Sequence, residues 1–195
     1  MKHTILIAAA GILSLAACNS NNNQAKTDTD TAQPAQRTSA GAPAATENQQ
    51  PASPVKEIVN SYLDMKNALA ADNDKGTATA GDAMVAAFGK FDKASLTAEQ
   101  KKIYEDIESD AREHAAHIGK NAGNIKHQRE HFDMLSKDMY ELVKTFGAGK
   151  HLYYDHCPMY NKGKGADWIS ETKDIANPYL GKEMPACGTV KEELK

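Results

Sequence analysis

Aromatic residues make up only 6% of this chain, and cysteine occurs three times in 195 residues. Long apolar runs are missing too, apart from one at the N-terminus. The longest elsewhere, Ala83-Met84-Val85-Ala86-Ala87-Phe88, could not cross a bilayer, which excludes a multi-span membrane protein. There is no surplus of positive charge either: 23 Lys and Arg stand against 26 Asp and Glu, a formal charge of −3. The basic footprint of a nucleic-acid binder is therefore absent, and no nucleic-acid partner is expected. Neither a Gly-rich phosphate loop nor a Gly-x-Ser-x-Gly elbow occurs. Chemistry has to come from six His beyond His3, the three Cys and a few Met.

The first eighteen residues read as an address. Lys2 and His3 precede an apolar stretch from Ile5 to Leu15, and Leu15-Ala16-Ala17-Cys18 follows. A charged start, a short apolar core and small residues before a cut make a secretory signal over residues 1–17. The Leu-Ala-Ala-Cys ending resembles a bacterial lipobox, whose Cys is diacylated and becomes the mature N-terminus; an ordinary signal cut is the alternative. Two acyl chains hold a protein stably on a membrane, so lipidated Cys18 would be the membrane anchor of a periplasm-facing lipoprotein. Asn19 stands where enterobacterial lipoproteins retained at the inner membrane often carry Asp, which favours the outer membrane. Residues 19–53 contain no Leu, Ile, Val, Met or aromatic residue and cannot build a core. The stretch 18–53 is read as the lipidated Cys and a disordered tether, and residues 54–195 as one domain.

Within that domain the apolar residues fall at helical spacing four times. Ser53-Pro54 signals a helix start, followed by Val55, Ile58, Val59, Tyr62, Leu63 and Leu69, and Asp72–Gly76 breaks the pattern. Met84, Val85, Phe88 and Phe91 share a face in a second segment, weakened by Gly76, Gly81 and Gly89. Thr97-Ala98-Glu99-Gln100 reads as a capping box ahead of Ile103, Ile107, Ala111, His114 and Ile118. A last stripe runs from Ile125 through Gln128, Phe132, Leu135, Met139 and Leu142 to Phe146 and stops at Gly147 and Gly149. The expected fold is all-α: an antiparallel bundle of about four helices. From about residue 150 an irregular, turn-rich tail packs against it, with one short strand near His151–Tyr154.

The six His all lie between His114 and His156. His114 and His117 are three apart, and His127 and His131 four apart, so each pair shares a helix face. His114 falls on the apolar stripe and is read as a hydrogen-bonded core residue. The tail adds His156-Cys157-Pro158-Met159 and Met184-Pro185-Ala186-Cys187. Imidazole, thiolate and thioether together suit copper, and zinc if thioether is left out. Cys157, Met159 and His131 form the expected core of a soft-metal site, with His117, His127, Met184 and Cys187 as further ligands. The alternative is a Cys157–Cys187 disulfide, since a secreted chain sits in an oxidising compartment. Closing that loop would be worth about 3.5 kcal/mol on the chain-entropy model. A disulfide and a dithiolate site exclude each other. His127-Gln128-Arg129-Glu130-His131 also matches the inverted zinc-peptidase pattern, but such peptidases are much larger than this domain. No enzyme activity is expected.

The string His127-Gln128-Arg129-Glu130-His131-Phe132, with Leu135-Ser136 and Met139-Tyr140, resembles a bacterial domain-of-unknown-function family common in Bacteroidota. So do Cys157-Pro158-Met159, Gly165-Ala166-Asp167-Trp168, Asn177-Pro178-Tyr179, Gly181, Met184 and Cys187-Gly188. The resemblance covers about residues 54–190. Its members are free-standing lipoproteins or the C-terminal part of periplasmic adaptors of copper/silver-type heavy-metal efflux pumps. It implies a helical domain of this size and, by association, metal handling outside the inner membrane. The expected function is a lipoprotein that binds a copper or silver ion and buffers it or passes it to an efflux adaptor. The rival expectation is a non-metal interaction module, pinned by the disulfide, that contacts an envelope or pump protein.

Overall fold

The computed structural model describes residues 53–195. The signal, Cys18 and the tether as far as residue 52 lie outside the described residues.

Four helices form the body: α1 (Lys56–Ala70), α2 (Asp74–Lys90), α3 (Ala98–Lys120) and α4 (Ile125–Phe146). Each packs on the next, and α1 also meets α4, the arrangement short joints favour. Ser53 begins the fold: its hydroxyl donates to Gly147 O at 2.6 Å, and its Oγ accepts from the N–H of Val55. Pro54 thus stands in the turn just ahead of α1 rather than in its first helical position. The capping box forms as read: Thr97 Oγ1 accepts from Gln100 N–H, and Gln100 Oε1 accepts from Thr97 N–H.

α2 is continuous despite its glycines, and Gly81 shows why one of them is there. A Cβ on Gly81 would stand 2.7 Å from Ala115 O and 2.8 Å from the backbone N of Gly119. The α2 and α3 backbones meet at this point, and the close approach offsets the poor helix propensity of glycine. On α3 the apolar line differs from expectation by one residue. Ile103 is 41% exposed, and the buried line is Tyr104, Ile107, Ala111, Ala115 and Ile118. His114 is thereby rotated off the core face, half-buried at the side that meets α4.

The tail is more regular than its turn content suggests. It folds into a three-stranded antiparallel sheet in the order β2-β1-β3, with β1 at Leu152–Cys157, β2 at Ala166–Ser170 and β3 at Thr189–Leu194. The central strand pairs Asp155 with Trp168 and Cys157 with Ala166 on one side, and Leu152 with Leu194 on the other. A register shift interrupts the β1–β3 pairing between Tyr154 and Asp155. The sheet is fastened to the bundle through buried hydroxyls: Tyr62 OH shares a hydrogen bond with Ser136 Oγ at 2.8 Å and accepts from the N–H of Ile169 at 3.1 Å. Tyr62 also stacks on Phe132, with ring centroids 5.0 Å apart. Trp168 and Tyr179 meet edge to face and complete the core under the tail.

Candidate metal centre

The hairpin between α3 and α4 positions the histidines. α3 ends at Lys120 and α4 begins at Ile125, so His117 lies in the last turn of one helix and His127 in the first turn of the other. One turn deeper, His114 stands opposite His131. The connection is fixed by its own side chains. Asn121 Nδ2 donates to His117 O at 2.7 Å, Asn124 Oδ1 accepts from His127 N–H, and the N–H of Gly123 donates to the Asp74 carboxylate at 2.6 Å. Buried Gln128 sets the rotation of α4, because its Nε2 donates both to Asp74 O and to Ile118 O.

The result is a cluster of four imidazoles. His117 and His131 stack at 4.4 Å, His127 meets His131 edge-on at 4.6 Å, and His114 and His131 bring their Nδ1 atoms to 3.2 Å. One nitrogen each from His117, His127 and His131 lies within 4.8 Å of the other two. Nitrogens bound tetrahedrally at zinc-type lengths stand about 3.3 Å apart, so this group needs to contract slightly around an ion. His117 is exposed, and the other three are half-buried.

Electrostatics keep the inner imidazoles uncharged. His131 is pushed down to about 4, chiefly by burial and then by the charges His117, His127 and His114 would carry. Burial also lowers His114, against the pull of Glu113 and Asp110. Farther along the same helices, Asp138 is raised to about 6 by burial and by Asp110 and Glu141. Neutral imidazole is the ligand form. Two carboxylates approach from the rim: Glu113 Oε1 is 3.9 Å from His117 Nε2, and Glu130 Oε2 is 3.6 Å from His127 Nδ1. The three-nitrogen group itself consists of imidazoles alone.

The expected sulfur ligands lie elsewhere. Cys157 and Cys187 face each other with sulfurs 2.9 Å apart and no disulfide between them. Neither belongs to the histidine group. Met159 is 58% exposed and Met184 is 41% exposed, and among the described residues no hydrogen bond joins their sulfurs to a histidine or cysteine. The structure thus gathers His117, His127 and His131, separately gathers Cys157 and Cys187, and leaves Met159 and Met184 at the surface. The last two histidines pair with acids: His156 with Asp167 at 2.8 Å and His151 with Glu193 at 3.3 Å.

His114 is the member that sequence reasoning assigned to the core. Its true position was legible in the competing line through Tyr104 and Ala115, which buries five residues without it.

Residues 58–151 match the model of a family described as "Protein of unknown function (DUF3347)". This helical part of the chain is thus similar to a family whose function is unknown. The match begins two residues into α1, runs through α4 with every member of the histidine cluster, and ends just before β1. No curated protein and no solved structure matches the chain.

Proposed function

From a helical domain of unknown function with imidazoles gathered at one hairpin, we propose that this protein binds a transition-metal ion at His117, His127 and His131, with His114 beside them. The observation that carries the reading is the convergence of three ligand nitrogens from two helices whose rotation is fixed by Gln128 and Asn124. An all-imidazole set suits copper and zinc, and copper stands above zinc in the order of divalent affinities. Copper is the ion we assign, with silver and zinc as its competitors. Signal, lipobox and tether support placement on the periplasmic side of a membrane, the outer membrane favoured. The resemblance to efflux-adaptor domains supports buffering the ion or handing it to such an adaptor. No catalytic role is part of this reading.

The test is titration of the full chain, isolated without chelator, with Cu(II), Ag(I) and Zn(II), read by calorimetry and native mass spectrometry. One ion per chain is expected, with copper tightest. Even supporting residues around metal ligands change affinity about 10–100-fold when lost, so His131→Ala should weaken copper by about a hundredfold or more. Equal copper affinity in His131→Ala and the unchanged protein would remove the proposal. The facing thiols favour a second reading for the tail alone: closed by a Cys157–Cys187 bond, it would be a fixed surface for an envelope or pump protein. A metal-silent protein that captures such a partner only when oxidised would support it.

A further inference from the structure

The two cysteines lie apart from the histidine cluster, and their surroundings differ in a way a purely structural bond does not need. Cys157 ends the central strand and is 0% exposed, whereas Cys187 is half-buried in the irregular segment before β3. Cys187 is held in place by its neighbours. Its N–H donates to Met184 O, and its carbonyl accepts from Asn177 Nδ2 at 2.6 Å. Asn177 is itself buried, and its Oδ1 accepts from the N–H groups of Tyr179 and Leu180. Gly188 then lets the chain run flat against β1: a Cβ there would stand 2.8 Å from Trp168 Cη2 and 3.0 Å from His156 O. This close approach delivers the sulfur of Cys187 to that of Cys157, 2.9 Å away. Two thiolates sharing one zinc ion would stand about 3.8 Å apart, so the pair is set closer than a chelating dithiolate.

We propose that Cys157 and Cys187 are a reversible dithiol–disulfide couple that exchanges with external thiols through the outer sulfur of Cys187. In the reducing direction a thiolate attacks Cys187 Sγ. The Cys157–Cys187 bond breaks, and its electron pair leaves on Cys157 Sγ. The mixed disulfide at Cys187 is resolved by a second external thiolate. The two external thiols lose two electrons and two protons and become one disulfide, while the protein gains two thiols. Oxidation is the reverse, with a glutathione-type or protein disulfide as the oxidant.

The environment of Cys157 suits a leaving sulfur. Burial acts to raise its thiol, against hydrogen bonds from Cys187 in the dithiol and from the N–H groups of Met159 and Tyr160 and the Asn177 side chain, and these last three remain to stabilise the leaving thiolate when Cys187 carries the mixed disulfide. The thiol of Cys187 is in turn held up, first by its hydrogen bond with Cys157. A sulfur whose thiolate is stabilised leaves faster, and access decides which sulfur is attacked. Both factors point the same way. The bond would close the loop 158–186, which carries Tyr160 and Tyr179, stacked at 4.5 Å. These rings line a cleft of about 640 Å³ against Arg129, Glu130 and Asp133 of α4.

The full chain with Cys18→Ser leaves only these two thiols and can be equilibrated, folded, across a series of glutathione redox ratios, then acid-quenched and mapped by mass. The expected result is a reversible change of two hydrogens, with the transient glutathione adduct on Cys187. Cys157→Ser should form a stable glutathione adduct at Cys187, whereas Cys187→Ser should be modified at Cys157 about tenfold more slowly or less. Adducts mapped in the two-cysteine chain itself give the same information should either variant fail to fold. A bond that glutathione reduces only after the chain is unfolded would overturn the proposal, as would an adduct forming first on Cys157.

Discussion

Asp155 is a carboxyl group with nowhere to put its charge. It sits on the central strand, 0% exposed, and neither of its oxygens has a hydrogen-bond partner. Burial pushes it up to about 7, with the charge of Lys66 acting in the opposite direction. Lys66 is itself buried and committed to Glu171 at 2.9 Å. The sign follows from proton binding. Between 3.8 and about 7 the folded chain holds the proton and the unfolded chain releases it, so stability falls as pH rises through that range. A carboxyl titrating near 7 instead of 3.8 represents about 4 kcal/mol lost above the upper value. Asp155→Asn keeps the shape and removes the ionisation. It should be close to neutral below about pH 3.8, stabilising by about 1–2 kcal/mol at pH 5 and by about 3–4 kcal/mol at pH 8. For a domain of this size that is a rise in Tm of about 5–15 °C. Urea and thermal unfolding at the two pH values measure the difference directly. Equal destabilisation at both would mean that the carboxylate is charged and paired in the fold, and would refute a neutral buried Asp155.

Other perturbations test how the elements are held. Arg129 ties three segments: its Nε donates to Pro178 O at 2.8 Å, and Nη2 donates to Leu69 O and to Asp72 Oδ1 at 2.6 Å. Arg129→Ala should cost about 2–3 kcal/mol in urea unfolding and raise hydrogen exchange around residues 177–182. The hydrogen bond from Arg129 holds the Asp72 carboxyl below its ordinary value. That contribution is present above about pH 4 and fades as pH falls through the lowered value; a loss on making the solution alkaline would contradict the assignment. Gly81→Ala puts a Cβ against the α3 backbone and should destabilise by about 1–3 kcal/mol, although alanine is the better helix former. A gain in Tm would show that the two helices are not in close backbone contact.

The four helices were legible because each carries its own signal: an apolar stripe, a capping box at Thr97, and glycines at the end of α4. The sheet was less so. β3 reads Thr-Val-Lys-Glu-Glu-Leu, a charged edge strand with little apolar alternation, and it forms because β1 offers it a partner. β2 is buried along most of its length, and five residues give too short a run to distinguish from a turn-rich tail. In the candidate site, helical spacing paired the histidines correctly, and the short α3–α4 joint then brought the pairs face to face. It could not tell which side of α4 the tail would cover. His127 and His131 turn toward α3, while Arg129, Glu130 and Asp133 line the cleft with Tyr160 and Tyr179. A composite of Cys157, Met159 and His131 was therefore written in ligand chemistry but not in geometry.

That division has a consequence for experiment. The histidine cluster lies inside the segment that matches the family of unknown function, and the thiol pair lies in the sheet beyond it. The two groups share no ligand atom and no hydrogen bond among the described residues. Perturbations at sites without shared partners act independently to within a few tenths of a kcal/mol. Cys187→Ser should then leave copper affinity within about twofold of the unchanged protein, and His131→Ala should leave the midpoint of glutathione exchange where it was. Calorimetry on the first variant and redox titration on the second decide the matter. A shift of about tenfold in either would mean that the tail and the α3–α4 hairpin meet around one ion. The soft-metal site built from Cys157, Met159 and His131 would then be the better description.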